Sequence, residues 1–217
     1  MTAQRHAGRL SVSTLIVLAA VAAAVGLWAG SRWLGAEAAR DLPPLRNALL
    51  YPQPRQVPAF TLHTPDGATL TPADWRGRWT VVFFGFTHCP DICPTTMATL
   101  KRVWDRLGTE GRTDRARFDF VSVDPERDTP EILARYVGYF SPDFVAATGS
   151  DEQLTLLTRG LGMIYARGPL ENGTYSVDHS ASAVIVNPEG HVVGLFRPPF
   201  EADAIAADLA TLMDHAR

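Results

Sequence analysis

Only two cysteines occur in the chain, Cys89 and Cys93, and their setting constrains the fold more than any other feature. They lie in Gly85-Phe86-Thr87-His88-Cys89-Pro90-Asp91-Ile92-Cys93-Pro94. The run before them, Thr80-Val81-Val82-Phe83-Phe84, is β-branched and aromatic, which predicts a strand buried on both faces. The segment after them, 95–107, sets Met97, Leu100, Val103, Trp104 and Leu107 at helical spacing. The C-x-x-x-C pair thus opens a helix at a strand-to-helix turn, where free N–H groups and the positive end of the helix favour an anionic thiolate. Two thiols so placed can cycle as dithiol and disulfide, hold a soft metal such as Cu(I), or form an inert staple. A staple over so short a loop removes little chain entropy, so chemistry outweighs reinforcement. Choosing between redox and metal chemistry needs a third residue from elsewhere in the chain.

With 217 residues, 46% of them hydrophobic, and a net charge of −3, the chain can build one good-sized core and has no basic excess that would suit nucleic acid. Two cysteines are too few for a secreted disulfide scaffold, and a structural zinc site normally takes four protein ligands. Residues 10–30 carry no charge, and as a helix they span about 30 Å, the thickness of a bilayer core. Arg5 and Arg9 precede them without an acidic neighbour, which keeps the N-terminus cytoplasmic, while Trp28 and Trp33 fall where an outer aromatic belt would lie. The competing reading is a cleaved signal peptide ending near Ala36-Glu37-Ala38, but the apolar run exceeds the ~7–15 residues of a signal core. The expected organisation is a cytoplasmic tail (1–9), a transmembrane anchor (10–30), a Pro-rich linker (31–55) and a globular domain (56–217) in an oxidising compartment. For a bacterial-type cell this means a single-pass inner-membrane protein with its domain in the periplasm. Pro43, Pro44, Pro52 and Pro54 make the linker a stiff tether, and the alternative is that Leu49-Leu50-Tyr51 packs back on the domain.

Along the domain, turns at Pro65-Asp66-Gly67 and Pro188-Glu189-Gly190 predict two hairpins. A second core strand is expected over 118–123, a helix from Asp128-Thr129-Pro130-Glu131 to Tyr139 with Asp or Thr capping, a strand over 144–147, and helices over 151–161 and 203–213. Strands alternating with helices give an α/β sandwich around a mixed sheet, and a cysteine pair opening the first main helix is where a thioredoxin-like fold carries its chemistry. Of the six histidines, His6 falls in the tail, His215 in the last turn, and His63 and His191 beside hairpin turns. His88 adjoins Cys89, but neighbours at a strand end tend to point apart. His179 directly precedes a predicted core strand, at a junction that packs against the cysteine turn in a thioredoxin-like fold.

The strings GFTHCPDICPTTM, SVDPERDTPE (122–131) and VDHSASAVIVNPEG (177–190) together resemble the Sco/SenC family of copper chaperones for cytochrome c oxidase, over residues 50–215 and in the same order. The resemblance implies a membrane-anchored thioredoxin-like domain that binds copper through both cysteines and one distant histidine, here Cys89, Cys93 and His179; a Cys89–Cys93 disulfide belongs to the redox reading of the pair. Two thiolates and an imidazole suit Cu(I), and the imidazole also admits Cu(II). The stretch His179-Ser180-Ala181-Ser182 lacks the proline that thioredoxin-type reductases place opposite their cysteines, and C-x-x-x-C replaces C-x-x-C; both favour metal over disulfide exchange. The resemblance further suggests an acidic residue of the 124–128 loop beside the site or in docking. Asp124 and Asp128 are the candidates, against a strand-end turn for Asp124 and a helix cap, the favoured reading, for Asp128. His88 is a further candidate for such a supporting role. Asp178 can orient His179 only if the two share a face, and Asp91 can act through its charge. The leading expectation is a metallochaperone delivering copper to the CuA centre of cytochrome c oxidase subunit II, served by a periplasmic copper donor and a thiol reductant. The rivals are a thiol-disulfide reductase of the oxidase cysteines, which needs Cys89 and Cys93 but not His179, and a copper or redox sensor. A thiol peroxidase is disfavoured because no arginine neighbour of Cys89 is evident.

Overall fold

The computed structural model describes residues 12–37, 43–170 and 174–215, and the chain divides into two compact units, Met1–Pro43 and Pro44–Arg217. Among its described residues the first unit holds one helix, α1 (Val12–Glu37), apolar on every side over 16–30. Among the described residues no helix is long and apolar enough to cross a membrane. The part of α1 in which every side chain is described runs only from 16 to 30, short of the roughly 20 residues a span needs. The expected anchor begins at residues 10 and 11, which lie outside the described residues, as do the expected tail (1–9) and residues 38–42 of the expected linker.

The second unit is built on a six-stranded sheet. Its spine is β4 (Trp79–Gly85), every residue of which is buried, as its unbroken apolar run demands. Parallel to it runs β5 (Ala116–Ser122), in register from Trp79↔Ala116 to Gly85↔Ser122, and β6 (Val145–Ala147) extends the parallel half. On the other side, β9 (Ala183–Val186) pairs antiparallel with β4, and β10 (His191–Phe196) antiparallel with β9. The outermost strand there is β1 (Ala48–Gln56), antiparallel to β10. The order is therefore β1-β10-β9-β4-β5-β6. Two short hairpins stand apart, β2 (Leu62–His63) with β3 (Thr69–Leu70), and β7 (Tyr165–Arg167) with β8 (Val177–His179). Helices α2 (Ile92–Thr109), α3 (Pro130–Phe140), α4 (Asp151–Gly160) and α5 (Ala202–His215) complete the mixed-sheet, thioredoxin-like sandwich. α2 buries Met97, Leu100, Val103 and Leu107 and packs against α5, which buries Ile205, Leu209 and Leu212.

The expected linker boundary at residue 55 is corrected. β1 occupies most of that segment's second half, so the domain begins at Pro44, as the packing of Leu49-Leu50-Tyr51 had offered as the alternative. Pro52 and Pro54 fit because an outermost strand has N–H positions that need no ladder partner, and the register breaks between Leu50 and Arg55. Gly194 makes room for this break, since a Cβ there would run into the Leu49 carbonyl and stand 2.9 Å from Leu50 Cα. Asp208 of α5, 2% exposed, fixes the start of β1 by accepting the backbone N–H groups of Arg46 (2.9 Å), Asn47 (2.7 Å) and Ala48 (2.8 Å). Of the two caps open to α3, Thr129 serves: its Oγ1 accepts the Ile132 N–H, and Asp128, the favoured cap, turns inward.

Candidate metal centre

β4 ends at Gly85 under the cysteine turn, and the glycine is needed there. A Cβ would stand 2.8 Å from the Phe120 ring and 2.9 Å from Cys93 Sγ. Cys93 is fully buried in the first turn of α2, whereas Cys89, before the helix, is partly exposed; both are free thiols. The Cys93 N–H donates to Cys89 Sγ at 3.4 Å, which folds the two sulfurs to one side. His179, at the end of β8, brings Nε2 to 3.3 Å from Cys93 Sγ. Its Nδ1 lies 3.0 Å from the Ser180 carbonyl, which can only accept, so Nδ1 carries the proton and the Nε2 lone pair faces the sulfurs. Phe83 and Phe86 hold the imidazole edge-on, each with centroids at 5.9 Å. The Cys89, Cys93 and His179 donor atoms all lie within 4.8 Å of one another.

Burial dominates the electrostatics. It pushes the Cys93 thiol far above its ordinary value and lowers His179 below 6.5, opposed for His179 by the Ser180 hydrogen bond and the charge of Asp178. The expectation that the helix start makes an anionic thiolate is therefore overturned for Cys93. Removing a bare thiolate from water costs more than the helix end returns. Cys93 therefore keeps its proton and His179 stays neutral, and a cation entering the site must displace the Cys93 proton.

The surrounding side chains divide by what they hold. Asp128, buried, accepts from Thr87 N–H (2.9 Å), Thr87 Oγ1 (2.5 Å) and Ser122 Oγ (2.5 Å), bolting the cysteine turn to the end of β5. Asp124, also buried, accepts from Arg127 Nε (2.5 Å) and from the Tyr175 hydroxyl (2.6 Å), a role larger than a strand-end turn. His88 is about half exposed, 51%, with Nδ1 3.5 Å from Asp128 and 3.2 Å from Thr87 Oγ1; it stands outside the three-donor cluster. Asp178 points away on the exposed face of β8, and Asp91, at the start of α2, makes no capping bond. Sequence reasoning missed Arg127 and Tyr175. The Arg127 guanidinium lies 3.9 Å over the Tyr175 ring and 5.8 Å over Phe86, and it lines with Cys89 and His179 a cleft of ≈ 570 Å³. Arg127 shares that cleft with Cys89 but is held by Asp124, Tyr175 and Phe86; it sat in the quoted DPERD string, but its direction is set by tertiary contacts. A second cleft, ≈ 520 Å³, between the β2–β3 hairpin and α3, contains neither cysteine nor histidine.

Comparison with known proteins gives a consistent result. A family model described as SCO1/SenC matches residues 51–214. A chain of Stutzerimonas stutzeri whose name marks it as copper-binding is 36% identical over 79% of this chain and 83% of its own length. The human mitochondrial SCO1 homolog is 37% identical over 71% of this chain, which spans about half, 52%, of that protein. Among solved structures, Arabidopsis thaliana ScoI with copper bound superposes with a TM-score of 0.67 at 32% identity, covering 73% of this chain and 99% of that one. Apo Sco1 from Thermus thermophilus gives 0.68 at 36% identity, covering 76% and 95%. With its family match running from β1 into α5 and its cysteine turn and distant histidine in one cluster, the chain belongs to the SCO1/SenC family.

Proposed function

We propose that this protein is a copper metallochaperone, anchored by residues 10–30 in a bacterial-type inner membrane, that carries copper on Cys89, Cys93 and His179 to the CuA centre of cytochrome c oxidase subunit II. The observation that carries the reading is the convergence of two sulfurs and one lone-pair-bearing nitrogen within 4.8 Å. That donor set fits a soft, low-coordinate ion: Cu(I) takes the two thiolates and the imidazole, and the imidazole extends the site to Cu(II). Copper is cargo here. Binding releases the thiol protons, and the partly exposed Cys89 is the sulfur that a recipient's ligands can reach in exchange. The copper-bound Arabidopsis structure supports the metal, and the resemblance of the three sequence strings to copper chaperones for cytochrome c oxidase points to the recipient. A copper donor and a thiol reductant in the same compartment complete the cycle, since a Cys89–Cys93 disulfide cannot load.

The test is a Cu(I) competition titration of the reduced protein, wild type beside His179→Ala. One copper per wild-type chain and at least about a tenfold loss of affinity in the variant, roughly 1.4 kcal/mol, are expected. Absence of tight copper, or affinity indifferent to His179, would give first place to a thiol-disulfide reductase. Normal oxidase activity in a deletion strain with altered copper-responsive expression would instead favour a sensor. For the anchor, an alkaline phosphatase fusion after residue 217 should be active and one after residue 9 inactive; the reverse would refute the topology.

A further inference from the structure

β7 and β8 pair only with each other, so the hairpin bearing His179 receives no ladder bonds from the central sheet. Beyond the Phe83 and Phe86 edges against His179, apolar packing adds little to hold it. Ile164 and Leu170 are each 72% exposed, and its buried apolar side chains among the described residues are Met163 and Val177. Polar contacts fasten it, at three points: the Tyr165 hydroxyl, 3.3 Å from Thr155 Oγ1 and 3.4 Å from the Asp151 carbonyl of α4, is the longest-ranged of them. Arg167, opposite Val177 in the hairpin register, binds Asp151 at the start of α4 in a fork, Nη2 to Oδ1 at 2.6 Å and Nη1 to Oδ2 at 2.9 Å, and reaches the Val123 carbonyl at 3.3 Å. Tyr175 donates its hydroxyl to Asp124 at 2.6 Å and accepts Arg127 Nη1 on its carbonyl at 3.0 Å.

From this we infer that Arg167 and Tyr175 are positioning residues for the metal: a polar latch that ties the β7–β8 hairpin to the loop after β5 and to α4, and so sets His179 Nε2 against Cys93. The inference rests on the copper reading of the site. Neither residue belongs to the donor cluster. With the latch open, the hairpin keeps its own ladder and the link from Ser180 N–H to the Ile164 carbonyl (2.9 Å), but loses its register to the cysteine turn. The two sulfurs remain in place. Apparent affinity then falls by the fraction of molecules in which the imidazole is in position. Two consequences distinguish this from ordinary destabilisation. The loss cannot exceed that caused by removing the imidazole, and it vanishes once the imidazole is gone.

The experiment uses the full chain in detergent micelles, reduced, with a chromophoric Cu(I) chelator as competitor, and compares wild type, Arg167→Ala, Tyr175→Phe, His179→Ala and the double variant Arg167→Ala/His179→Ala. Arg167→Ala is expected to weaken Cu(I) binding by about tenfold, the scale seen when groups that orient a metal ligand are removed. Tyr175→Phe, which deletes one hydroxyl and keeps the ring, should move affinity the same way by less. In the His179→Ala background, Arg167→Ala should change nothing further. Undiminished affinity in Arg167→Ala beside a clear loss in His179→Ala overturns the latch and leaves the copper reading standing. An additive loss in the double variant also overturns it, as a general structural effect. Should His179→Ala leave affinity intact, the copper reading fails, and hydrogen exchange of the metal-free protein still decides on the latch. Amides of 177–180 exchanging faster in Arg167→Ala, with α2 and β4 unchanged, support it; unchanged exchange refutes it.

Discussion

Adding one methyl group to Gly85 tests how tightly the site is fitted. Gly85→Ala forces the Phe120 ring and Cys93 Sγ aside, so it should cost about 1–3 kcal/mol in a urea titration and weaken Cu(I) binding in the same preparation. Burial makes a second prediction. Cys93 holds its proton because burial raises its thiol, while His179 is held neutral, so copper competes with thiol protons and not with an imidazolium near neutrality. Affinity therefore rises with pH, by about tenfold per pH unit for each proton released, and falls on acidification; competition titrations at about pH 6 and about pH 8 read the slope directly. Affinity independent of pH would refute displacement of thiol protons. At this scale the clustering of Cys89, Cys93 and His179 was legible because cysteine is scarce in the chain, His179 abuts a core strand and the family resemblance singles out all three. Arg127 and Tyr175 were not, because no periodicity records a side chain that reaches across tertiary space. Asp128 was misread since Asp-Thr-Pro-Glu offers two caps, and only packing decides that the threonine caps while the carboxylate turns inward.

At the scale of elements, Asp208 carries more than its share. One carboxylate serves three consecutive backbone N–H groups at the entry to β1, so Asp208→Ala leaves them without their acceptor. A loss of about 3 kcal/mol is expected, seen as a lower thermal midpoint, with exchange accelerated first at residues 48–50; a midpoint unchanged from wild type would show that water replaces the carboxylate without cost. The strands and helices that the sequence announces are those with a strong period or an unbroken apolar run, such as β4 and α2. β1 escaped because its prolines and exposed side chains read as tether, and β7 and β8 because three residues are too few to show alternation. The hairpin that holds His179 was thus the least legible part of the site's scaffold.

For the molecule as a whole, the position of β1 decides where the domain can be cut. A chain starting at residue 44 keeps Asp208 occupied and β10 paired on both sides, and should unfold cooperatively; one starting at residue 56, the boundary composition suggests, should lose its sharp transition in a calorimetric scan. Equal transitions would mean that β1 adds nothing to the fold. The same strand has a further effect. Pro52 and Pro54 leave gaps in the row of donors along the sheet's outer rim, and the register break bends it. A second copy meeting that rim finds no continuous template on which to add a strand, so this edge of the sheet resists pairing between crowded molecules.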